Sequence, residues 1–477
     1  MHEPAQTPVL LWFRTDLRLA DHAALHAALQ TGTPILPIYI LDDETPGPWS
    51  LGGAARWWLH HSLTSLTKDL AARGAPLVLR RGPASNEIPR LAAETGATAV
   101  YAGCTHEPWA RRLDEALLQT LQHQRVTFRR YRTTTIFPPD AVRTGAGGPF
   151  SVFTPFSRAC LTLGPPPLLP APTRIPSIEP PRSDRLEDWR LLPTRPDWAG
   201  GLRDTWTPGE SAAQHRLHAF LATAAKRYAD TRDRPAIDGT SMLSPHLHWG
   251  ELSAAQAWHA AAMQDGPGAE SFIRELLWRE FSYHLLWHRP AMPDHPLRDE
   301  FAAMPWRQDD QALAAWQRGR TGIPIVDAGM RQLWHIGWMH NRVRMIVASF
   351  LTKHLLLPWQ DGAAWFWDTL VDADLASNSQ NWQWVAGSGA DAAPYFRIFN
   401  PVLQGKKFDP DGGYVRRWVP ELAPLGAAHI HAPWEAPHSA LSAAGLTLGT
   451  TYPLPLIDLA TGRARALAAF QSLPRSA

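Results

Sequence analysis

The residues best equipped for chemistry lie between Trp334 and Pro401, in WHIGWMHNRVRMIVASFLTKHLLLPWQDGAAWFWDTLVDADLASNSQNWQWVAGSGADAAPYFRIFNP. Arginines, two close aspartates, asparagines and tryptophans sit there among apolar residues with helical spacing. A plain packing core avoids such groups, because each buried polar atom needs a partner. The stretch therefore implies a large polar ligand within it. Asp372 and Asp374 have the opening spacing of a calcium loop. Its third site, however, is Ala376, its glycine position Ser377 and its twelfth position Gln383, so no metal is expected. Arg344 offers a forked guanidinium that a carboxylate such as Asp372 can satisfy. Upstream, Glu275, Trp278 and Arg279 fall at i, i+3 and i+4 and share one helix face, which alone reads as a solvated ion pair beside a packed indole. Thr240, Ser241 and Ser244 cluster at a turn into a helix, where hydroxyls and free N–H groups suit a phosphate or a simple cap equally. GSGADA (387–392) spells a dinucleotide fingerprint variant, but Pro394 interrupts any helix it would start.

These groups need elements to hold them. Short apolar runs at Val9–Phe13, Ile35–Leu41, Pro76–Leu79, Ala99–Ala102 and Val126–Tyr131 read as strands. They alternate with helical patterns at Asp21–Gln30, Ala54–Ala72, Glu87–Glu94 and Glu107–Gln122, most of them closed by a glycine. That order predicts an α/β domain with a doubly wound parallel sheet over residues 1–132. The first strand runs into RTDLRLAD with no glycine, so a dinucleotide held on a glycine-rich turn is not expected there. Proline density in LGPPPLLPAP, IPSIEPPR and LLPTRPDW predicts an extended linker over 133–205, wrapped over the surface. The GAGGPF segment before it reads as a turn with no helix following. From residue 206 to 477 the period is helical, at Ala212–Ala229, Ala254–Ala262, Ala269–Trp287, Gln311–Gly319, Ile325–Ile336, Asn341–Leu356 and Ala363–Leu370. The ligand belongs in this all-α domain.

Composition bounds the setting. The 477 residues suffice for two or three domains, and a net charge of +2 requires any nucleic-acid surface to be a local patch. Two cysteines fit a reducing compartment and exclude a disulfide framework. The start MHEPAQTPVLLWF has too short an apolar run for a signal peptide, and no segment approaches a membrane span. A cytoplasmic monomer is expected. The 23 tryptophans make stacking or electron relay worth testing beyond their usual packing role.

WMHNRVRM, DADLASNSQNWQW and DAAPYFRIFNP, together with LLWFRTDLRLADHAAL, TSMLSPHLHWGELS, ELLWREF and GIPIVDAGMRQL, resemble the photolyase/cryptochrome family of blue-light flavoproteins. The likeness is nearest to the bacterial class I cyclobutane pyrimidine dimer (CPD) photolyases and covers nearly the whole chain. It implies an all-α domain binding FAD, with UV-damaged DNA as partner and a carbon-carbon lyase activity. It assigns cofactor contacts to Tyr228, Thr240, Ser241, Met242, Leu243, Ser244, Phe272, Arg344, Asp372, Ala373, Asp374 and Asn378, with Asn378 beside flavin N5. It assigns DNA contacts to Arg232, Trp278, Arg279, Asn341, Arg342, Trp384, Arg397 and Gln404. Glu275, Asn341 and Met345 would hold the lesion, with Trp278 stacked on it, and Trp306, Trp359 and Trp382 match an electron-hopping chain. Members that bind a folate antenna carry an Asn-Glu pair where this chain has Trp109 and Ala110. A deazaflavin-like antenna, or none, is therefore favoured over folate. Repair of the (6-4) photoproduct would call for a histidine pair where Asn341 and Met345 stand. A cryptochrome-type light receptor is disfavoured by Asn378 and by the lack of a long tail. A flavin oxidoreductase without DNA is disfavoured by the aromatic and basic residues.

Overall fold

The structure, a computed structural model, describes residues 7–391 and 396–474. The first six residues of MHEPAQTPVLLWF and the Ala392–Tyr395 part of DAAPYFRIFNP, with the end of GSGADA and Pro394, lie outside the described residues. Five strands, β1 (Val9–Phe13), β2 (Ile35–Leu41), β3 (Val78–Arg81), β4 (Ala99–Gly103) and β5 (Thr127–Tyr131), form one sheet. It is wholly parallel, in the order β3-β2-β1-β4-β5. β1 and β2 are buried along their full length, as strands covered on both faces must be. Val9, Leu11 and Phe13 point to one side and Leu10 and Trp12 to the other, each side meeting its own apolar core.

The covering helices are α1 (Ala23–Leu29), α2 (Gly53–Ala71), α3 (Ala84–Thr95) and α4 (Pro108–His123). Next come α5 (Phe153–Leu163), α6 (Gly200–Thr205), α7 (Glu210–Thr223), α8 (Tyr228–Thr231), α9 (Ser244–His248), α10 (Ala254–Ala262) and α11 (Pro267–His288). They are followed by α12 (Asp310–Gln317), α13 (Pro324–Ile336), α14 (Asn341–Ser349), α15 (Trp359–Thr369), α16 (Leu375–Ala386), α17 (Pro401–Phe408), α18 (Gly413–Trp418), α19 (His438–Ala443) and α20 (Leu459–Gln471). Among the described residues no helix is long and apolar enough to cross a membrane. The fold class read from the alternation, a parallel α/β sheet followed by helices, is the one found.

Two local expectations need correction. GAGGPF is followed by a helix: Phe153, Phe156 and Cys160 of α5 form one buried face at i, i+3 and i+7 against α11. The proline-rich stretch after α5 is extended and mostly exposed, and hydrogen bonds fasten it to the sheet. The Ile35 N–H donates to Pro176 O (2.7 Å), the Asp184 N–H to Leu79 O (2.8 Å) and the Leu79 N–H to Ser183 Oγ (2.9 Å). Asn341–Leu356 is not one uniform helix, because α14 passes into a single π-helical turn at Phe350–His354. That turn directs Lys353 into the interior, where Nζ donates to Ala386 O at the end of α16 (2.6 Å) and lies 3.2 Å from the centre of the Phe396 ring. Burial pushes the Lys353 ammonium well below its ordinary value.

RTDLR joins the sheet to the helices. Arg18 is buried and donates to Gly250 O (3.0 Å), Thr133 O (2.8 Å) and Asp21 O (2.7 Å), while the Leu17 N–H donates to Trp249 O (3.0 Å). Gly250 has φ +64°, and a Cβ there would lie 2.3 Å from Thr15 O, so only glycine permits this approach.

Candidate functional site: a cavity between helices 11, 14 and 16

Helical spacing decides which side chains converge. On α16, Asp374 caps the N-terminus, and Ser377, Asn378, Asn381, Trp384 and Val385 follow at intervals of three and four, so they share one face. That face looks across a cavity of about 470 Å³. α11 supplies Glu275, Trp278, Arg279 and Ser282 to the opposite wall, and α14 supplies Asn341, Arg342, Arg344, Met345 and Ala348. Phe366, Leu370, Asp372 and Ala373 close the floor, while Trp338, Ser244 and Arg232 complete the lining.

Asp372 is the polar centre of that floor. Its Oδ2 accepts from Arg344 Nη2 (2.8 Å) and from Ser244 Oγ (2.5 Å), and Ser244 Oγ accepts from Trp338 Nε1 (3.1 Å). Arg344 Nε is anchored on Met339 O (2.8 Å). Asp372 Oδ1 is buried and has no hydrogen-bond partner. A buried acceptor without a partner costs stability unless something supplies a donor. Asn378 is buried with Nδ2 donating to Ala363 O (3.0 Å), which leaves its carbonyl oxygen for whatever enters.

At the rim, adjacent residues of opposite sign tie the walls together: Arg232 pairs with Glu275, and Asp233 with Arg342 Nη2 (2.8 Å). The Arg342 guanidinium carbon lies 4.5 Å from the Phe408 ring centre. Trp278 of α11 and Trp384 of α16 both line the cavity, the latter with Nε1 donating to Asp391 O (3.1 Å). A cavity with aromatic sides, a rim of paired charges and a polar floor can hold a flat, polar ligand. Among the described residues, no three His, Cys, Asp or Glu side chains stand where they could hold a metal ion.

Two family models match the chain, one described as DNA photolyase over residues 9–175 and one as the FAD binding domain of DNA photolyase over 272–472. The chain is 50% identical to the deoxyribodipyrimidine photo-lyase of Agrobacterium fabrum over 98% of either chain. It is 36% identical to cryptochrome-1 of Arabidopsis thaliana, over 96% of this chain and 69% of that one. The crystal structure of a bacterial class III photolyase from Agrobacterium tumefaciens superposes with a TM-score of 0.95 at 49% identity, with 98% of both chains covered. The chain belongs to the DNA photolyase family. The motifs pointed toward class I within it, whereas that neighbour is of class III.

The photolyase FAD-binding match includes the cavity's helices 11, 14 and 16, and the orphaned Asp372 Oδ1, the Arg344 fork and the Asn378 amide fit such a group. Of the residues predicted from sequence, Ser244, Arg344, Asp372, Ala373, Asp374, Asn378, Glu275, Asn341, Met345, Trp382, Arg232, Trp278, Arg279, Arg342 and Trp384 all line this one cavity. Several others stand elsewhere. Tyr228 and Phe272 pack with Phe220 in a buried aromatic group (6.0 Å between the first two rings) and are not among the lining residues. Thr240, Ser241, Met242 and Leu243 form the turn before α9 outside the lining, with Met242 at φ +49°. Arg397 is exposed over Phe399, and Gln404 lies on α17; neither reaches the wall.

Two lining residues have partners that the sequence reading did not foresee. Arg279 turns inward, donating to Thr134 O (2.9 Å) and lying 3.3 Å from Glu280, so its charge is spent on the segment after β5 rather than offered outward. The same segment is gripped by Glu280 Oε2, which accepts from the Ile136 and Phe137 N–H groups (2.8 and 3.1 Å). Burial pushes the Glu280 carboxyl up to about 7 despite Arg279 and those N–H donors. Asp374 caps α16 by accepting from the Ser377 N–H (2.7 Å) and takes the Tyr283 hydroxyl, with His248 Nδ1 at 3.6 Å. Burial alone would raise its carboxyl; His248, Arg279 and Tyr283 outweigh that and hold it well below the usual range.

Trp382 lines the cavity and makes ring contacts with Phe366 (5.0 Å) and Trp316 (6.2 Å). Trp359 is buried in the same apolar cluster, and Trp306 is partly buried at its margin. Sequence reasoning missed Ser282, Trp338, Phe366, Ser377, Gln380 and Asn381. For Ser377 and Asn381 the signal was present, in their spacing from Asp374 and Asn378.

Proposed function

We propose that this chain repairs cyclobutane pyrimidine dimers in UV-damaged DNA by light-driven electron transfer. The supporting observation is that the flavin-side residues Arg344, Asp372 and Asn378 share one cavity with the lesion-side residues Glu275, Trp278, Asn341, Met345 and Trp384. FAD bound there supplies light absorption and a single transferable electron. The rest is placement. Arg344 and Asp372 hold charge beside the flavin ring, and the free carbonyl of Asn378 accepts a hydrogen bond from it. Trp278 and Trp384 wall the space for an extruded dinucleotide, whose unstacking is least costly for damaged bases, a mechanism for which photolyases are a standing example. Glu275, held by Arg232, and Asn341 hydrogen-bond the lesion, Met345 packs on it, and Arg232 and Arg342 meet the flanking phosphates. Trp382, Trp359 and Trp306 pass electrons inward from the surface.

Two finer points rest on the sequence. Trp109 and Ala110, in the first turn of α4, replace the pair that folate-binding members carry, which favours a deazaflavin-like antenna or none. Asn341 and Met345 favour CPD over the (6-4) photoproduct. A cytoplasmic monomer remains the expected form. The test is purified protein, chemically reduced and lit with blue light, mixed with DNA carrying one defined CPD. Loss of dimers is expected only in the light. No loss overturns repair and leaves the light-receptor reading of the cryptochrome relatives.

A further inference from the structure

Trp278 does not stand alone in the cavity wall. Phe153, the first residue of α5, lies flat on its indole with ring centroids 3.6 Å apart and planes within 5°. Phe281 meets the same indole edge-on at 5.9 Å and 72°. Phe153 is 1% exposed and is not among the residues that line the cavity. Its ring is itself fixed, by Phe281 at 5.9 Å and by the Arg274 guanidinium carbon 5.5 Å above it. An unsupported indole has two soft torsions and can show a ligand its face, its edge or its N–H. Pinned on one face by a parallel ring and crossed by another, it has one plane left to offer.

We propose that Phe153 is a positioning residue that fixes the plane of Trp278, so that the side left to the cavity is a platform for one ring of the extruded dimer. The inference rests on the repair reading and deepens it by naming what sets lesion preference. The segment between sheet and helical domain thereby supplies a layer of the site. Phe153 acts only through Trp278. Leucine at 153 keeps apolar volume but removes the flat partner, whereas tyrosine keeps both, so F153L and F153Y separate filling the core from orienting the indole.

The experiment uses flavin-loaded wild type, F153L, F153Y, W278A and the F153L/W278A double variant. It compares binding to a duplex with one CPD against the same duplex undamaged, together with flavin content and repair rate at saturating DNA. F153L is expected to lose about five- to tenfold in affinity for the damaged duplex only. Its flavin content and saturated repair rate should match wild type, F153Y should restore binding, and F153L should add nothing to W278A. Equal weakening toward both duplexes, or losses that add to those of W278A, overturns the positioning role. Wild type that does not discriminate the duplexes overturns repair and this inference together. Wild type that discriminates while F153L is unchanged overturns this inference alone.

Discussion

Two parts of the molecule place arginine and aspartate in the interior, and they use them oppositely. At the carboxyl ends of β1 and β4, where a parallel sheet of this order opens a crevice for ligands, Arg14 donates to Thr105 Oγ1 (2.7 Å), pairs with Asp114 and lies 3.8 Å from the Trp12 ring centre. Beside it Asp16 Oδ2 stands 3.2 Å from His22 Nε2. The backbone at Gly103 is closely packed against this cluster: a Cβ there would lie 2.1 Å from Asp16 Oδ2 and 2.2 Å from Thr133 Oγ1. In the helical domain Arg344 and Asp372 also pair, but on the wall of about 470 Å³ of free volume. Buried charge marks both regions, so it cannot by itself mark a site. A cavity lined by such groups does.

The comparison is broken most severely at Asp372. Asp372→Asn strips the charge that faces Arg344, and flavin content after purification should fall more than about tenfold while the circular dichroism spectrum is kept. Unchanged flavin content would place the cofactor elsewhere. Glu275→Ala, on the lesion wall, should lower repair yield about tenfold with flavin content intact, the size expected for one charged contact to substrate. Equal loss of both would reassign Glu275 to cofactor retention. Trp382→Phe should slow photoreduction of oxidised flavin severalfold yet spare repair once the flavin is chemically reduced, and unchanged photoreduction would reject the relay.

The sheet cluster should have the least effect on the site. Asp16→Asn is expected to leave flavin content and repair alone and to reduce stability by about 2 kcal/mol near neutral pH. Burial alone would raise the Asp16 carboxyl, but the charge and hydrogen bond of His22 bring it down from the ordinary 3.8 to about 2. A carboxyl depressed by folding stabilises the native state above 3.8, and that stabilisation is lost as pH falls through about 2. Denaturant unfolding of the two proteins should show the gap closing over that acid range. A gap independent of pH would mean that Asp16 acts by packing alone.

How far the sequence was legible depended on how local the cause was. β1 and β2 were read to the residue because strands buried on both faces are unbroken apolar runs. α5 was not read, because its turn-forming approach GAGGPF hides a helix whose apolar face is defined only by the distant α11. Within the site, Arg344 and Asp372 could be paired from chemistry, since each needs the other. Asp372 and Asp374 look alike in sequence. Which one faces open volume and which caps a helix is settled by Tyr283 and His248, roughly 90 and 126 residues away in the chain. Arg279 shares a helix face with Glu275, as the spacing required, but its guanidinium is claimed by Thr134 and Glu280 from outside that spacing.

The central claim is that flavin and lesion meet in one cavity. It is tested most directly in the dark, by titrating flavin-loaded protein with a duplex carrying a single CPD and reading the flavin absorption bands. The bands should shift and saturate at one lesion per chain, with no shift from the undamaged duplex. Tight binding of the damaged duplex with the flavin bands unmoved would contradict it.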